Sequence, residues 1–68
     1  MKKREIEEQA IIAFGVACDN GYISTFSSVK DVEDNAYEIL GWMPDYEVDE
    51  LTEEDFDYAV EVLISQLD

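Results

Sequence analysis

The residues of this sequence with the clearest chemistry are carboxylates that recur at helical spacing. Two rows repeat at intervals of three and four residues, and they consist of Asp31, Asp34 and Glu38 and of Glu54, Asp57 and Glu61. Side chains at these intervals lie on one face of a helix. The spacing therefore predicts two helical rows of unpaired carboxylates, which would attract a strongly basic surface.

Charge is divided very unevenly along the chain. The 68 residues include 18 acids, 4 bases and no histidine, for a net charge of −14. Residues 1–30 hold all four bases and four acids, so residues 31–68 carry the entire net charge, with fourteen acids and no base. This composition argues against direct nucleic-acid binding, which requires clustered Lys and Arg, and an anionic membrane surface would repel the chain.

The third predicted helix has a charge density close to that of nucleic acid. Residues 53–68 carry six acidic side chains, spread over about 24 Å in a helix. With the terminal carboxylate counted, one negative charge falls about every 3.4 Å, which is close to the phosphate spacing along one DNA strand. Like charges four residues apart destabilise a helix. The pattern therefore favours a surface that imitates phosphates over an ordinary solvated face.

A further group of carboxylates lies between the second and third predicted helices and consists of Asp45, Glu47, Asp49 and Glu50. Alternating acids suggest a Ca²⁺ loop, but an EF-hand needs Gly at its sixth position and Glu at its twelfth. Counted from Asp45, these positions are Glu50 and Phe56. We expect no dedicated metal site and no cofactor, and we assign these acids to the partner-binding surface.

Tyrosines could give this acidic surface short-range contacts. Tyr58 lies off the apolar face of the third predicted helix, and Tyr46 lies in the preceding loop. Aromatic side chains are enriched at binding hot spots, although in a small chain they more often belong to the core. We predict that Tyr58, followed by Tyr46, is an exposed anchor for a partner.

Three amphipathic helices are predicted to position these groups. The first runs from Arg4 to Asp19, the second starts at a Ser28 cap and the third at a Thr52 cap. Apolar residues with helical spacing are Ile6, Ala10, Ala13, Phe14 and Ala17, then Val29, Val32, Ala36, Ile39 and Met43, then Phe56, Ala59, Val60, Leu63, Ile64 and Leu67. The uninterrupted apolar run 10–18 indicates that the first helix is the most buried. Short connections imply one all-α domain over residues 1–68, a three-helix bundle.

The dipeptide Asn20-Gly21 leaves a second fold open. Glycine commonly ends a helix, but Asn-Gly is also the strongest hairpin signal. Residues 22–29 could then pair with residues 10–17 and make the protein α+β. The alanines of the first segment and the polar residues before them favour the helix.

Catalytic groups are scarce, so we expect no enzymatic activity. The serines at positions 24, 27 and 28 have no histidine to activate them, and Cys18 is predicted to be a small buried hydrophobe. The nine-residue apolar run is too short to span a bilayer. We therefore expect a cytoplasmic protein, in the host cytoplasm if a phage encodes it, that makes no membrane contact.

The acidic half resembles the small acidic inhibitors of phages and mobile elements, such as antirestriction and anti-CRISPR proteins. The likeness is compositional and rests on the base-free residues 31–68, with Tyr37, Tyr46 and Tyr58 among the acids. It implies a nonenzymatic mimic of nucleic-acid phosphates that blocks the basic groove of a nucleic-acid-binding protein. That target would be a defence protein or a host protein.

Two other interpretations remain open from the sequence. The chain could be a small helical adaptor or regulator that binds a protein partner through an apolar groove. The basic residues at positions 2–4 could also pair with the acidic surface of a second copy, which would make a homodimer. Salt separates the phosphate mimic from the helical adaptor, because electrostatic binding weakens as salt rises and apolar binding does not.

Overall fold

The computed structural model describes residues 2–68, and these residues form helices without any strand. The helices are α1 (Lys3–Asp19), α2 (Val29–Asp34), α3 (Ala36–Leu40) and α4 (Glu53–Ser65), with a 3₁₀ turn at Val48–Glu50. The short helices α2 and α3 follow each other as two segments of one arm. Helix α4 packs along α1, and the α2–α3 arm contacts both. The predicted all-α three-helix bundle is confirmed.

The Asn20-Gly21 dipeptide ends α1 and does not make a hairpin. The Gly21 amide donates to the Cys18 carbonyl at 2.9 Å, and the Tyr22 amide donates to the Ala17 carbonyl at 2.9 Å. Gly21 has φ 71°, a left-handed conformation that costs a residue with a side chain about 1–2 kcal/mol. These bonds satisfy the last carbonyls of the helix, and the α+β alternative is therefore wrong.

The α2–α3 arm begins at the predicted residue but is interrupted in the middle. The Ser28 hydroxyl accepts from the Asp31 amide at 3.1 Å and caps α2. Asn35 departs from helical geometry, with φ −111° and ψ 9°, and its side-chain amide donates to the Asp31 carbonyl at 2.8 Å. Asn side chains compete with the helix for backbone groups in this way. The interruption therefore separates Asp31 and Asp34 on α2 from Glu38 on α3.

Helix α4 begins at the predicted cap. The Thr52 hydroxyl accepts from the Asp55 amide at 3.1 Å, and acids fill the first turn, where the helix dipole stabilises them. The helix ends at Ser65, before the end of the chain. The Asp68 amide then donates to the Thr25 carbonyl at 2.8 Å. This hydrogen bond connects the residues after α4 to the segment between α1 and α2.

The core confirms most, but not all, of the predicted apolar positions. All five predicted core residues of α1 are buried. The prediction for Val29 is wrong, because this residue in the first turn of α2 is 47% exposed. The apolar run 10–18 is not buried all round either, because Ile11 and Ile12 face outward. Leu40 and Val62 are buried although the spacing argument did not select them.

Candidate functional site

The acids of residues 31–68 form the outer surface of their half of the protein. Thirteen of the fourteen are exposed, and Asp55 is half-buried. We call this set of fourteen side chains the acidic surface. The exposed acids therefore contribute nothing to the buried core. The predicted partner-binding carboxylates all belong to it and are Asp31 and Asp34 on α2, Glu38 on α3, Asp45, Glu47, Asp49 and Glu50 in the segment before α4, and Glu54, Asp57 and Glu61 on α4.

One member of the acidic surface has a cation partner within the described residues 2–68. Lys30 Nζ lies 3.0 Å from Asp34 Oδ2, four residues along α2, and the hydrogen bond that it donates to Asp34 raises the pKa of Lys30. The prediction that the first row is wholly unpaired is therefore wrong at Asp34. Both side chains are largely exposed, and an exposed pair of this kind adds little stability.

Two tyrosines reach acids of α1 across the bundle. The Tyr46 hydroxyl donates to Glu5 Oε2 at 2.6 Å, and the Tyr58 hydroxyl donates to Glu7 Oε2 at 3.3 Å. The bond to Glu5 raises the pKa of Tyr46, whereas partial burial, followed by the charge of Glu7, raises the pKa of Tyr58. Both hydroxyls therefore stay protonated at neutral pH and act as neutral donors.

The other two tyrosines bond to the acidic surface itself. The Tyr37 hydroxyl donates to Asp49 Oδ1 at 2.6 Å, and the Tyr22 hydroxyl donates to Glu38. These bonds raise the pKa of Tyr37 and of Tyr22. A phenol satisfies a carboxylate without cancelling its charge. All four tyrosines of this chain thus hold acids in place while the negative field is preserved.

A buried glutamine joins α1 to the acidic loop. Gln9 is 8% exposed, its Nε2 donates to Asp45 Oδ2 at 3.0 Å, and its Oε1 accepts from the Asp45 amide at 3.0 Å. Sequence reasoning missed this residue. The signal was present, because Gln9 lies three residues after Ile6 and beside Ala10, on the apolar face of α1.

Four of the five acids of α4 line grooves beside Tyr58. A groove of about 290 Å³ between α1 and α4 is lined by Glu7, Ile11, Tyr58, Glu61, Val62, Ser65 and Gln66. A second groove of about 220 Å³ is lined by Lys3, Glu54, Asp55, Asp57, Tyr58 and Glu61. Lys3 Nζ lies 5.3 Å from the centre of the Tyr58 ring, within range of a cation–π contact. Glu54, Asp57, Tyr58 and Glu61 are therefore brought together. No hydrogen bond or ion pair within residues 2–68 links them to the acids of α2 and α3.

The predicted order of tyrosine exposure is wrong. Tyr58 and Tyr46 are half-buried because each hydroxyl turns toward an acid of α1, whereas Tyr37 is 54% exposed. Phe26, in the segment between α1 and α2, is 85% exposed and was not predicted to take part in binding. No local spacing marks it as exposed, because it lies outside the helices.

The remaining candidate groups have ordinary surroundings. Cys18 is half-buried, and burial followed by the charge of Asp19 raises the pKa of its thiol, which disfavours the reactive thiolate. No cluster of three or more acids or cysteines within residues 2–68 is arranged to hold a metal ion. None of the described helices is both long and apolar enough to cross a membrane.

Comparison with protein families, with curated proteins and with solved structures found no match to this chain. What remains to indicate a function is the geometry and charge of the chain's own residues.

Proposed function

We propose that this protein is a nonenzymatic inhibitor that mimics nucleic-acid phosphates and occupies the basic groove of a nucleic-acid-binding protein. Antirestriction and anti-CRISPR proteins, which its composition resembles, are the nearest functional classes. The target is a defence protein or a host protein. The observation that carries the proposal is the acidic surface, in which thirteen of fourteen acids are exposed and Asp34 alone pairs with a cation within the described residues.

The way the acids are held supports this function. Lysines at intervening surface positions would relieve the repulsion at no cost to the core, yet residues 31–68 contain none. Tyrosine hydroxyls bind individual acids instead, and they leave the charge available to a partner.

Electrostatic complementarity would act first on the rate of encounter. A cleft lined by Lys and Arg and a protein of net charge −14 attract each other over about one Debye length, which is about 10 Å at 0.1 M salt. Closer contacts then fix the orientation of the complex. Occupation of the groove excludes the nucleic acid, and inhibition follows without any chemical step.

Capture from nuclease-treated cell lysate at low salt tests the proposal. We expect the retained proteins to be basic and to bind nucleic acid, and we expect stepwise addition of salt to release them. The matched control is the triple variant Glu54→Gln, Asp57→Asn and Glu61→Gln, which has the same size and fold but three fewer charges. Retention of neutral or acidic proteins that resist salt would contradict the proposal.

A helical adaptor that binds through apolar contacts is the second candidate, and one observation favours it. Phe26, in the segment before α2, is 85% exposed, and Val29, three residues later in the first turn of α2, is 47% exposed. An apolar contact with a partner would cover both side chains. In the same capture experiment, the wild type would retain such a partner at high salt, and the variant Phe26→Ser would not retain it.

A further inference from the structure

Tyr58 borders two grooves that contain similar chemical groups. One groove has the Tyr58 ring with Glu54, Asp57 and Glu61, and the chain's own Lys3 lines it. The other has Tyr58 with Glu7 and Glu61, together with the apolar side chains Ile11 and Val62. Lys3, with its ammonium over the Tyr58 ring, shows that this combination of ring and carboxylates accommodates a long basic side chain. The groove lined by Ile11 and Val62 contains no basic side chain.

We propose that the groove of about 290 Å³ lined by Glu7, Ile11 and Tyr58 receives one arginine side chain of the partner. Its aliphatic stem would pack on Ile11 and Val62, and its guanidinium would meet Glu7, Glu61 and the ring of Tyr58. This assignment rests on the proposed function for the class of partner, because a basic nucleic-acid groove is rich in arginine.

The composition of the groove favours arginine over lysine. A guanidinium is planar and weakly hydrated, stacks on aromatic rings and binds carboxylates through several N–H donors, whereas an ammonium is a compact and strongly hydrated charge. The apolar wall also matches a side chain that buries its stem and keeps its charged end near water. A volume of about 290 Å³ lies just below the range of ligand pockets, so the groove suits one side chain rather than a whole small molecule.

Titration with short peptides tests the proposal without any knowledge of the partner. The probes are acetyl-Gly-Arg-Gly-amide, its lysine counterpart and its citrulline counterpart, which has the shape of arginine without the charge. We expect the arginine peptide to shift the backbone amide NMR signals of residues 7–11 and 58–62 most strongly. It should bind about two- to fivefold more tightly than the lysine peptide, and the citrulline peptide should bind more weakly still.

Substitutions of the ring distinguish a groove from a diffuse acidic surface. Tyr58→Leu should lower the affinity for the arginine peptide about two- to fivefold. Tyr58→Phe keeps the ring and should keep this affinity. Tyr37→Leu removes a more exposed tyrosine outside the groove and should leave the affinity unchanged. If Tyr58→Leu does not fold, Glu61→Gln replaces it, with the exposed α2 acid Glu33→Gln as its control.

Three results would overturn the assignment. Signal changes spread evenly over α2, α3 and α4, or equal losses from Glu61→Gln and Glu33→Gln, would mean that arginine senses only the net charge. A peptide that occupies the groove while no basic protein is captured would contradict the proposed function but not this site. Capture of a basic protein by a chain whose groove does not bind the peptide would contradict the site but not the function.

Discussion

Helices α1 and α4 pack against each other with similar buried faces and very different outer faces. The buried face of α1 includes Phe14 and that of α4 includes Leu63, and both belong to one core. The outer face of α1 mixes Lys3 and Arg4 with acids, whereas the exposed charged side chains of α4 are all acidic. Packing requires only the inner faces. The single sign of the outer face of α4 therefore needs an explanation other than folding, and the proposed binding to a basic partner would supply one.

The inner faces should respond alike to truncation. Phe14→Ala on α1 and Leu63→Ala on α4 each remove a large buried side chain, and we expect each to lower the free energy of unfolding by about 2–5 kcal/mol. Urea unfolding followed by circular dichroism measures both. Glu61→Gln on the outer face of α4 is the control and should not lower stability. A small loss from either core variant would mean that the two helices do not share one core.

The outer faces should differ in binding. Reversal of Asp57 and Glu61 to Lys should lower the affinity for a captured basic partner about tenfold at low salt, which corresponds to about 1.4 kcal/mol of binding free energy. Reversal of Glu8 and Asp19 on α1 makes the same change in net charge and should have a much smaller effect. Glu7 is unsuitable as a control because it lines the groove beside Tyr58. Titration calorimetry gives both constants, and equal losses would show that only net charge matters.

Salt should stabilise the protein through the acidic surface. The Debye length falls from about 30 Å at 0.01 M salt to about 3 Å at 1 M, so repulsion among the acids is screened. If screening relieves about 1 kcal/mol, the melting temperature rises by about 4–8 °C. The triple variant of Glu54, Asp57 and Glu61 to their amides should respond less, and Glu8→Gln on α1 should respond almost as the wild type does. A melting temperature independent of salt would mean that the acids are already neutralised in place.

Local signals in the sequence were sufficient for the helix ends. Ser28, Thr52 and Gly21 act through bonds to residues a few positions away, so the sequence around each determines its role. The interruption at Asn35 was not predicted, because the apolar spacing continues through it and only the side-chain bond to the Asp31 carbonyl reveals it. The turn chemistry of Asn20-Gly21 could not separate the bundle from the hairpin, because both folds fit this dipeptide. The bond from the Tyr22 amide back to α1 shows that it ends a helix.

The composition of the acidic surface could be predicted, but its organisation could not. Exposure of the acids follows from their charge. The partners of the tyrosines lie 12 to 51 residues away, and such separations depend on how the helices pack. The same packing places Tyr58 between two grooves and half-buries it. The helical spacing alone had assigned Tyr58 to an exposed position.

The tyrosine bonds between α1 and the acidic half give a smaller effect that depends on pH. The pKa of Tyr46 and the pKa of Tyr58 are raised above 10.0, the ordinary value. The folded protein then binds more protons than the unfolded chain above pH 10.0, so this stabilisation is complete below that pH and is lost as the pH rises through the raised values. Melting temperatures measured from neutral to alkaline pH should fall more steeply in the wild type than in the variant with Tyr46→Phe and Tyr58→Phe. Parallel curves would contradict these assignments.

Mutual exclusion on the captured partner tests the central claim most directly. The partner is held at a fixed concentration with a labelled oligonucleotide that fills its groove, and this protein is added in steps at constant salt. We predict complete displacement of the oligonucleotide, with a midpoint that rises in proportion to the oligonucleotide concentration. A stable complex that contains the partner, the oligonucleotide and this protein together would contradict the claim that the acidic surface occupies the place of nucleic-acid phosphates.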